Sequence, residues 1–126
     1  LQEITMIGYV TLGSNDLPRA WAFYDALMAE VGATRSWESE TGVSWGQKRG
    51  ASLAVMKPFN GEPATVGNGV MVALAMRSKE DVDRIYARAI SLGATDEGAA
   101  GPRGTGFYAG YFRDLDGNKL CVFVMG

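Results

Sequence analysis

Apolar and polar positions divide the chain into two similar halves. Residues 9–34 (YVTLGSNDLPRAWAFYDALMAEVGAT) and 71–95 (MVALAMRSKEDVDRIYARAISLGAT) follow the same pattern. Each begins with a short apolar strand, continues as a helix with an apolar stripe at 3.6-residue spacing, and enters a second strand. With an offset of 72 − 10 = 62 residues, Val10 coincides with Val72 and Tyr24 with Tyr86. The pattern therefore predicts one supersecondary unit that occurs twice.

Both predicted helices have recognisable ends. Asn15 or Asp16 is expected to cap the first helix by accepting a hydrogen bond from an early backbone N–H, and Gly32 is expected to end it. Ser78 and Gly93 take the same places in the second half. These signals bound the helices independently of the apolar stripes.

Short strand candidates follow each helix, and the Asp116-Gly117 pair is typical of a type I′ hairpin turn. A four-stranded sheet with one helix leaves its second face uncovered. Two βαβββ modules can therefore curve around a shared cavity or pair across a dimer. We predict an α+β fold in which two βαβββ modules form a curved mixed-sheet barrel around a central cavity. The strand candidates are 33–38, 43–48 and 51–57 in the first half and 95–99, 107–113 and 119–124 in the second.

Length and composition narrow the class of protein. The 126 residues fit a single domain, 1–126, with module one at about 6–57, a Gly- and Pro-rich linker at about 58–68 and module two at about 69–125. A net charge of −2 without a Lys/Arg cluster argues against nucleic acid. No apolar run approaches the roughly 20 residues that span a bilayer, so no membrane association is predicted. One cysteine and the lack of a basic-then-apolar leader favour the cytoplasm.

The chain contains no histidine. This removes the commonest general base near neutral pH and the commonest transition-metal ligand. It also excludes Ser-His-Asp and Cys-His arrangements.

Two motifs resemble the vicinal oxygen chelate superfamily, which includes glyoxalase I, bleomycin-resistance proteins and extradiol dioxygenases. "SNDLPRAWAFYDAL" (14–27) is similar to the first-helix motif of that superfamily, and "YFRDLDGNKL" (111–120) is similar to its last hairpin. The resemblance extends from Met6 to Met125 and implies a homodimer. It also implies a divalent ion held by His on the first strand of each half and by Glu on the last strand.

The positions at which the resemblance would place the metal ligands carry other residues. The two first-strand His positions fall at Tyr9 and Met71, and the last-strand Glu position falls at Cys121. Tyr is a rare metal ligand, a thioether suits soft ions, and one thiolate cannot hold Zn²⁺ alone. We therefore predict no metal at the usual position and no cofactor.

Strand alternation extends the predicted cavity lining from these three positions. Pairing Arg113 with Lys119 sets Tyr111 opposite Cys121, with Phe112 packed against a helix. On the third strand, Trp45 and Gln47 alternate with Ser44 and Gly46, and the pattern leaves open which pair faces the cavity. The predicted ligand-binding residues are Tyr9, Thr11, Trp45, Met71, Arg103, Phe107, Tyr111, Arg113 and Cys121.

Several alternatives stay open at this point. Cys121 is either a small wall residue or a reactive thiol, and the cavity is either open or filled by side chains. "GAAGPRGTG" (98–106) is interpreted as a mobile flap over the cavity. Arg103 in that flap either clamps a carboxylate or phosphate or is a solvated surface residue. Trp21 is either a dimer contact or a surface-packed side chain.

Two functions are compatible with this reading. The first is a small-molecule-binding protein with a metal-free cavity and an unknown ligand, as in the bleomycin-resistance branch. The second is a glyoxalase-like lyase or a related enzyme, with Tyr9 or Tyr111 as the acid and Arg103 or Arg113 stabilising an oxyanion, or with an atypical metal site. Whether the protein is an enzyme stays open, and the expected partners are a small molecule and a second copy of the chain.

Overall fold

A computed structural model describes residues 6–126. The chain divides into two compact units between Thr65 and Val66, and each unit has the element order βαβββ. The first contains β1 (Tyr9–Gly13), α1 (Leu17–Val31), β2 (Thr34–Glu38), β3 (Gly42–Gly46) and β4 (Ser52–Met56). The second contains β5 (Val72–Ala75), α2 (Lys79–Ser91), β6 (Thr95–Pro102), β7 (Phe107–Arg113) and β8 (Lys119–Met125). The repeated α+β module predicted from the sequence is confirmed.

Each unit forms one four-stranded mixed sheet. The strand order is β1-β4-β3-β2 in the first sheet and β5-β8-β7-β6 in the second. In each sheet the first strand pairs in parallel with the last, and the other pairs are antiparallel. No strand pairing within residues 6–126 joins the two sheets into one closed barrel. The prediction is confirmed for the two four-stranded mixed sheets, and the curved barrel around a central cavity stays a prediction.

Helix α1 has a defined cap at each end. The Asp16 carboxylate accepts a hydrogen bond from the Arg19 backbone N–H at 3.2 Å, so of the two predicted caps Asp16 is the one used. Gly32 ends the helix at φ +85°, a conformation that residues with a Cβ avoid. The buried stripe consists of Ala20, Phe23, Tyr24, Leu27 and Met28. Burying each of the larger of these side chains contributes roughly 1.5–3 kcal/mol.

Helix α2 is built in the same way. The Ser78 hydroxyl accepts a hydrogen bond from the Asp81 backbone N–H at 3.1 Å, as the capping pattern predicts. Val82, Ile85 and Ala89 are buried against the second sheet, and Gly93 follows the helix at φ +105°. Each helix thus covers one face of its sheet. We call the other face, which the helix of the same unit does not cover, the open face of that sheet.

Strand β6 extends further than predicted. It continues to Pro102, whereas the sequence predicted a strand to residue 99 and a flap over 98–106. β6 lies at the edge of its sheet, where Pro is tolerated. Its pairing with β7 shifts register before Gly98 and again between Gly98 and Gly101. Only a short turn remains, which the Arg103 backbone N–H closes by donating to the Phe107 carbonyl at 2.7 Å.

The turn before β8 is also different from the predicted type I′ turn. Of its residues only Gly117 has a positive φ, at +91°, whereas a type I′ turn requires a positive φ at both central positions. The Asp114 carboxylate instead accepts hydrogen bonds from the backbone N–H groups of Asp116 and Asn118, both at 2.9 Å. These side-chain hydrogen bonds satisfy the buried Asp114 carboxylate within the turn.

Candidate functional site on the open sheet faces

The open face of the first sheet forms a shallow pocket of about 360 Å³. Tyr9 on β1 and Trp37 on β2 stand at its sides, with exposed fractions of 71% and 50%. Ser44, Ser52 and Ala54 form its floor together with Met56. Thr11 lines a neighbouring open pocket of about 680 Å³ beside Met56 and Pro58. The predicted lining residues Tyr9 and Thr11 therefore both border pockets.

Trp37 reaches this face because β2 is irregular. The pairing of β2 with β3 shifts between Arg35 and Trp37, so that Arg35 lies opposite Trp45 whereas Trp37 lies opposite Ser44. A regular strand would have put residues 35 and 37 on the same face. The bulge at Ser36 thus adds an aromatic side chain to the open face.

Trp45 lies on the opposite face of β3, which corrects its predicted place in the cavity lining. Its side chain is 2% exposed, packs against the Tyr24 ring at 5.6 Å, and donates its indole N–H to the Asp25 carboxylate at 2.9 Å. A buried indole needs an acceptor, and the Asp25 carboxylate on α1 provides it. The Arg35 guanidinium, followed by the Trp45 hydrogen bond, holds the pKa of Asp25 below its usual value against the effect of burial. Trp45 is a core residue.

The open face of the second sheet has the predicted register. Tyr111 pairs with Cys121, Arg113 pairs with Lys119, and Phe112 is fully buried on the helix side. Phe107 is on the open face too, where its ring stacks on Phe123 at 5.5 Å. Met71 immediately precedes β5 and is 43% exposed.

The Cys121 thiol is buried, with 1% of its surface exposed, and lies opposite Tyr111 on the neighbouring strand. Burial raises the pKa of the Cys121 thiol above its usual value, and the Tyr111 side chain and the positive charges of Arg103 and Lys119 offset only part of that rise. Because the thiolate is the nucleophile, this environment favours a wall residue over a reactive thiol.

The two arginines predicted in the site have different surroundings. Arg113 donates to the Glu97 carboxylate at 3.1 Å and to the Gly117 carbonyl at 2.9 Å, so its charge is compensated. Arg103 lies over the Tyr111 ring, with its Cζ 5.5 Å from the ring centroid. Lys119 lies at the same ring, with its Nζ 5.6 Å from the centroid. Only Arg103 and Lys119 bring positive charge to Tyr111 at this range among the contacts described for residues 6–126.

A divalent ion does not fit the residues at the expected ligand positions. The parallel pairs Thr11–Ala54 and Ala73–Cys121 are equivalent in the two sheets, so Ala54 occupies the position in module one that Cys121 occupies in module two. A methyl group, a protonated thiol, a thioether and a phenol do not form the nitrogen, thiolate or carboxylate set that Zn²⁺, Ni²⁺ or Fe²⁺ requires. In the part of the chain from Met6 onward, no three His, Cys, Asp or Glu side chains are grouped to hold a metal.

The sequence prediction did not include several residues that the structure places on the open faces. The β1–β4 and β7–β8 registers would have added Ser52, Ala54 and Lys119, since each follows from counting two residues along a paired strand. Trp37 depends on the bulge in β2, for which the sequence carries no clear signal.

None of the helices described in residues 6–126 is long and apolar enough to cross a membrane.

Comparison with known proteins supports the fold. A family model described as the Glyoxalase/Bleomycin resistance protein/Dioxygenase superfamily matches residues 6–122. A glyoxalase/bleomycin resistance protein from Albidiferax ferrireducens T118 is 33% identical, with a TM-score of 0.89 over 97% of this chain and 100% of that chain. No functionally curated protein matches the sequence.

Two solved structures of lower identity share the fold. A glyoxalase-related enzyme from Fulvimarina pelagi is 22% identical, with a TM-score of 0.77 over 96% of this chain and 88% of that chain. A lactoylglutathione lyase from Agrobacterium tumefaciens is 23% identical, with a TM-score of 0.72 over 97% of this chain and 95% of that chain. Since the family model matches nearly the whole chain, the protein belongs to the glyoxalase/bleomycin resistance protein/dioxygenase superfamily.

Proposed function

We propose that this protein binds a small organic molecule on the open faces of its sheets, in a site that uses no metal at the usual superfamily position. The observation that carries the proposal is the pocket of about 360 Å³ on the first sheet, bordered by Tyr9, Trp37 and Met56. Large apolar side chains that stand exposed around a concave surface are typical of ligand sites.

The chemistry of this pocket favours an uncharged, partly apolar and planar group of the ligand. Tyr9 and Trp37 provide aromatic surfaces, and Ser44 and Ser52 provide hydroxyl groups at the floor. Ser44 already shares a hydrogen bond of 2.7 Å with Ser36, which fixes its orientation. Such a combination of apolar walls with a few oriented polar groups binds ring systems and sets their orientation.

Three further features belong to this proposal as predictions. They are a curved mixed-sheet barrel around a central cavity, a homodimer and a cytoplasmic location. The relatives named glyoxalase or bleomycin resistance protein support binding of a small molecule, and the ligand of this chain has still to be found.

Titration with 2-naphthol, a neutral bicyclic phenol, tests the proposal. We expect saturable quenching of Trp37 fluorescence that Trp37→Phe removes. Ala54→Leu, which fills the pocket floor, should weaken binding about tenfold or more because the ring loses its space. Ala29→Leu on the exposed surface of α1 is the matched control and should bind as the parent does. Unchanged affinity by calorimetry in both Ala54→Leu and Trp37→Ala, with each variant folded, would overturn the proposal.

A second candidate function is a metal-free lyase or related enzyme. The observation that favours it is the contact of Arg103 with Tyr111, which places a cation beside a phenol that can donate a proton. In this reading Tyr111 is the acid and Arg103 stabilises the developing oxyanion. Arg113 is less suitable, because Glu97 neutralises it. Any activity found in a substrate screen should be lost in Tyr111→Phe, and its retention in the double variant Tyr9→Phe/Tyr111→Phe would refute this mechanism.

A further inference from the structure

Two cations and a thiol surround Tyr111 on the open face of the second sheet. The guanidinium of Arg103 and the ammonium of Lys119 lie 5.5 and 5.6 Å from the centroid of the Tyr111 ring. Cys121 lies directly opposite Tyr111 on the neighbouring strand. We call these four residues the Tyr111 cluster.

The backbone holds the members of the cluster in place. The β7–β8 register puts Lys119 and Cys121 on the same face as Tyr111. Arg103 follows β6, and its guanidinium donates to the carbonyls of Ala99 at 2.7 Å and Pro102 at 3.2 Å. These bonds turn the side chain back over the sheet, so a ligand would meet a cation whose position is already fixed.

The charges of this cluster are not compensated by acidic side chains. Within residues 6–126, neither Arg103 nor Lys119 has a carboxylate within ion-pair distance. Neighbouring Arg113, by contrast, is paired with Glu97, and Arg35 in the first unit is paired with Asp25. The excess of positive charge is local, because the whole chain carries a net charge of −2.

The partial burial of these cations makes a counter-ion favourable. Arg103, Tyr111 and Lys119 are all half-buried, so water screens the two charges less than it screens those of a fully exposed side chain. Cys121 does not supply the missing negative charge, since burial keeps its thiol protonated. The two cations repel each other, and a bound anion would relieve that repulsion.

We propose that the Tyr111 cluster binds an oxyanion, a carboxylate or a phosphate, carried by the small-molecule ligand. The guanidinium donates hydrogen bonds to the oxyanion, the ammonium adds a second charge-assisted contact, and both cations make cation–π contacts with the Tyr111 ring. This inference rests on the proposed function, because it assigns the charge of the ligand that the open face of the second sheet binds. The ligand is accordingly an aromatic or partly apolar acid.

Calorimetric titration of the full chain with three matched probes tests the assignment. The probes are benzoate, phenyl phosphate and the neutral benzyl alcohol, which share one ring and differ in the polar group. We expect benzoate or phenyl phosphate to bind at least about tenfold more tightly than benzyl alcohol, and the tighter of the two identifies the preferred oxyanion. Raising the salt concentration should weaken the binding of benzoate and phenyl phosphate and leave the affinity for benzyl alcohol unchanged.

Substitutions distinguish anion binding at the Tyr111 cluster from nonspecific attraction of anions to positive charge. Arg103→Gln and Lys119→Gln should each weaken anion binding about fivefold to tenfold, and Arg103→Lys should retain part of it. Arg84→Gln, which removes one positive charge on α2, is the matched control and should have no effect. Circular dichroism and thermal unfolding check that every variant is folded.

Two results would overturn the assignment. One is equal affinity for the anions and benzyl alcohol, and the other is unchanged anion affinity in the double variant Arg103→Gln/Lys119→Gln. Neither result touches the 2-naphthol site on the first sheet, which contains none of these residues. Loss of 2-naphthol binding in Trp37→Ala together with indifference to both cation substitutions would therefore retain the proposed function and refute the oxyanion site.

Discussion

The open faces of the two sheets differ in chemistry although their backbones are equivalent. Strand order and parallel register are the same in both, yet Tyr9, Ser52 and Ala54 in the first sheet correspond to Met71, Lys119 and Cys121 in the second. The described open-face positions of the first sheet carry no charge. The second carries Lys119 and an Arg113 that is paired with Glu97, and Arg103 lies over its Tyr111.

The helix-covered faces of the two sheets are alike in contrast. Tyr24 and Tyr86 occupy the same place in the repeat, and each links its helix to its sheet. The Tyr24 ring packs against Trp45 of β3, and the Tyr86 hydroxyl donates to Asp96 of β6. The repeat therefore keeps the scaffold and varies the open face. The proposed ligand binding therefore depends on a few open-face positions, and stability depends on the buried residues of the other face.

The largest expected effect distinguishes the two faces of a single strand. Phe112→Ala should lower the free energy of unfolding by about 3–5 kcal/mol, because Phe112 is fully buried against α2. Phe107→Ala, on the open face of the same strand, should cost about 1 kcal/mol or less, since it loses only partly exposed surface and the stacking with Phe123. Urea unfolding measures both. Equal losses would show that the open face is packed as a core in solution.

An intermediate effect on stability distinguishes the hydrogen bonds that join helix to sheet in the two modules, Trp45 to Asp25 in the first and Tyr86 to Asp96 in the second. Asp25→Ala should lower the free energy of unfolding by about 1–3 kcal/mol, because it leaves the buried Trp45 indole N–H without an acceptor. Asp96→Ala in the second module removes the acceptor of the half-exposed Tyr86 hydroxyl, which water can replace, so its cost should be smaller. A larger loss for Asp96→Ala would reverse this ranking.

The same link predicts a dependence of stability on pH. The pKa of Asp25 is lowered in the folded protein, mainly by Arg35, so the ionised carboxylate stabilises the fold. That contribution is complete above the unfolded-state pKa of about 4 and is lost as the pH falls through the lower folded-state value. Urea midpoints from pH 6 to pH 3 should fall less steeply in Asp25→Asn than in the parent protein. Identical profiles would contradict the role of Asp25.

A smaller effect concerns the thiol of the second open face. Because burial raises the pKa of Cys121 and covers its sulfur, iodoacetamide should modify it at pH 7.5 at least about tenfold more slowly than in the urea-unfolded chain. Lys119→Gln should slow it further at pH 9, since the ammonium lowers that pKa. Rapid labelling of the folded protein would indicate a reactive cysteine and would favour a catalytic role for the second open face.

The smallest expected effect is that of added metal. After incubation of untagged protein with Zn²⁺, Ni²⁺, Mn²⁺ or Fe²⁺ and removal of free ions, mass spectrometry should find far less than one ion per chain. The reason is the donor chemistry of Tyr9, Met71, Ala54 and Cys121. A stoichiometric ion would place the ligands elsewhere and favour a lyase.

The sequence predicted the repeated module and the second open face well, because both depend on local signals. The apolar stripes and caps specify α1 and α2, and alternation across one hairpin specifies the Tyr111–Cys121 pair. It failed where long-range packing decides. Trp45 faces the helix because Asp25 lies there, and neither residue alone contains that information. Trp37 depends on a bulge, and the length of β6 depends on its place at a sheet edge.

The most direct test of ligand binding on the open faces is methyl NMR of ¹³C-alanine-labelled protein. Ala54 and Ala73 report the two open faces, whereas Ala20 and Ala89 are buried on the helix-covered faces. We expect 2-naphthol to shift the Ala54 methyl and benzoate to shift the Ala73 methyl, each saturably, with Ala20 and Ala89 unchanged. Shifts centred on Ala20 or Ala89, or no saturable shift with either probe, would contradict the account.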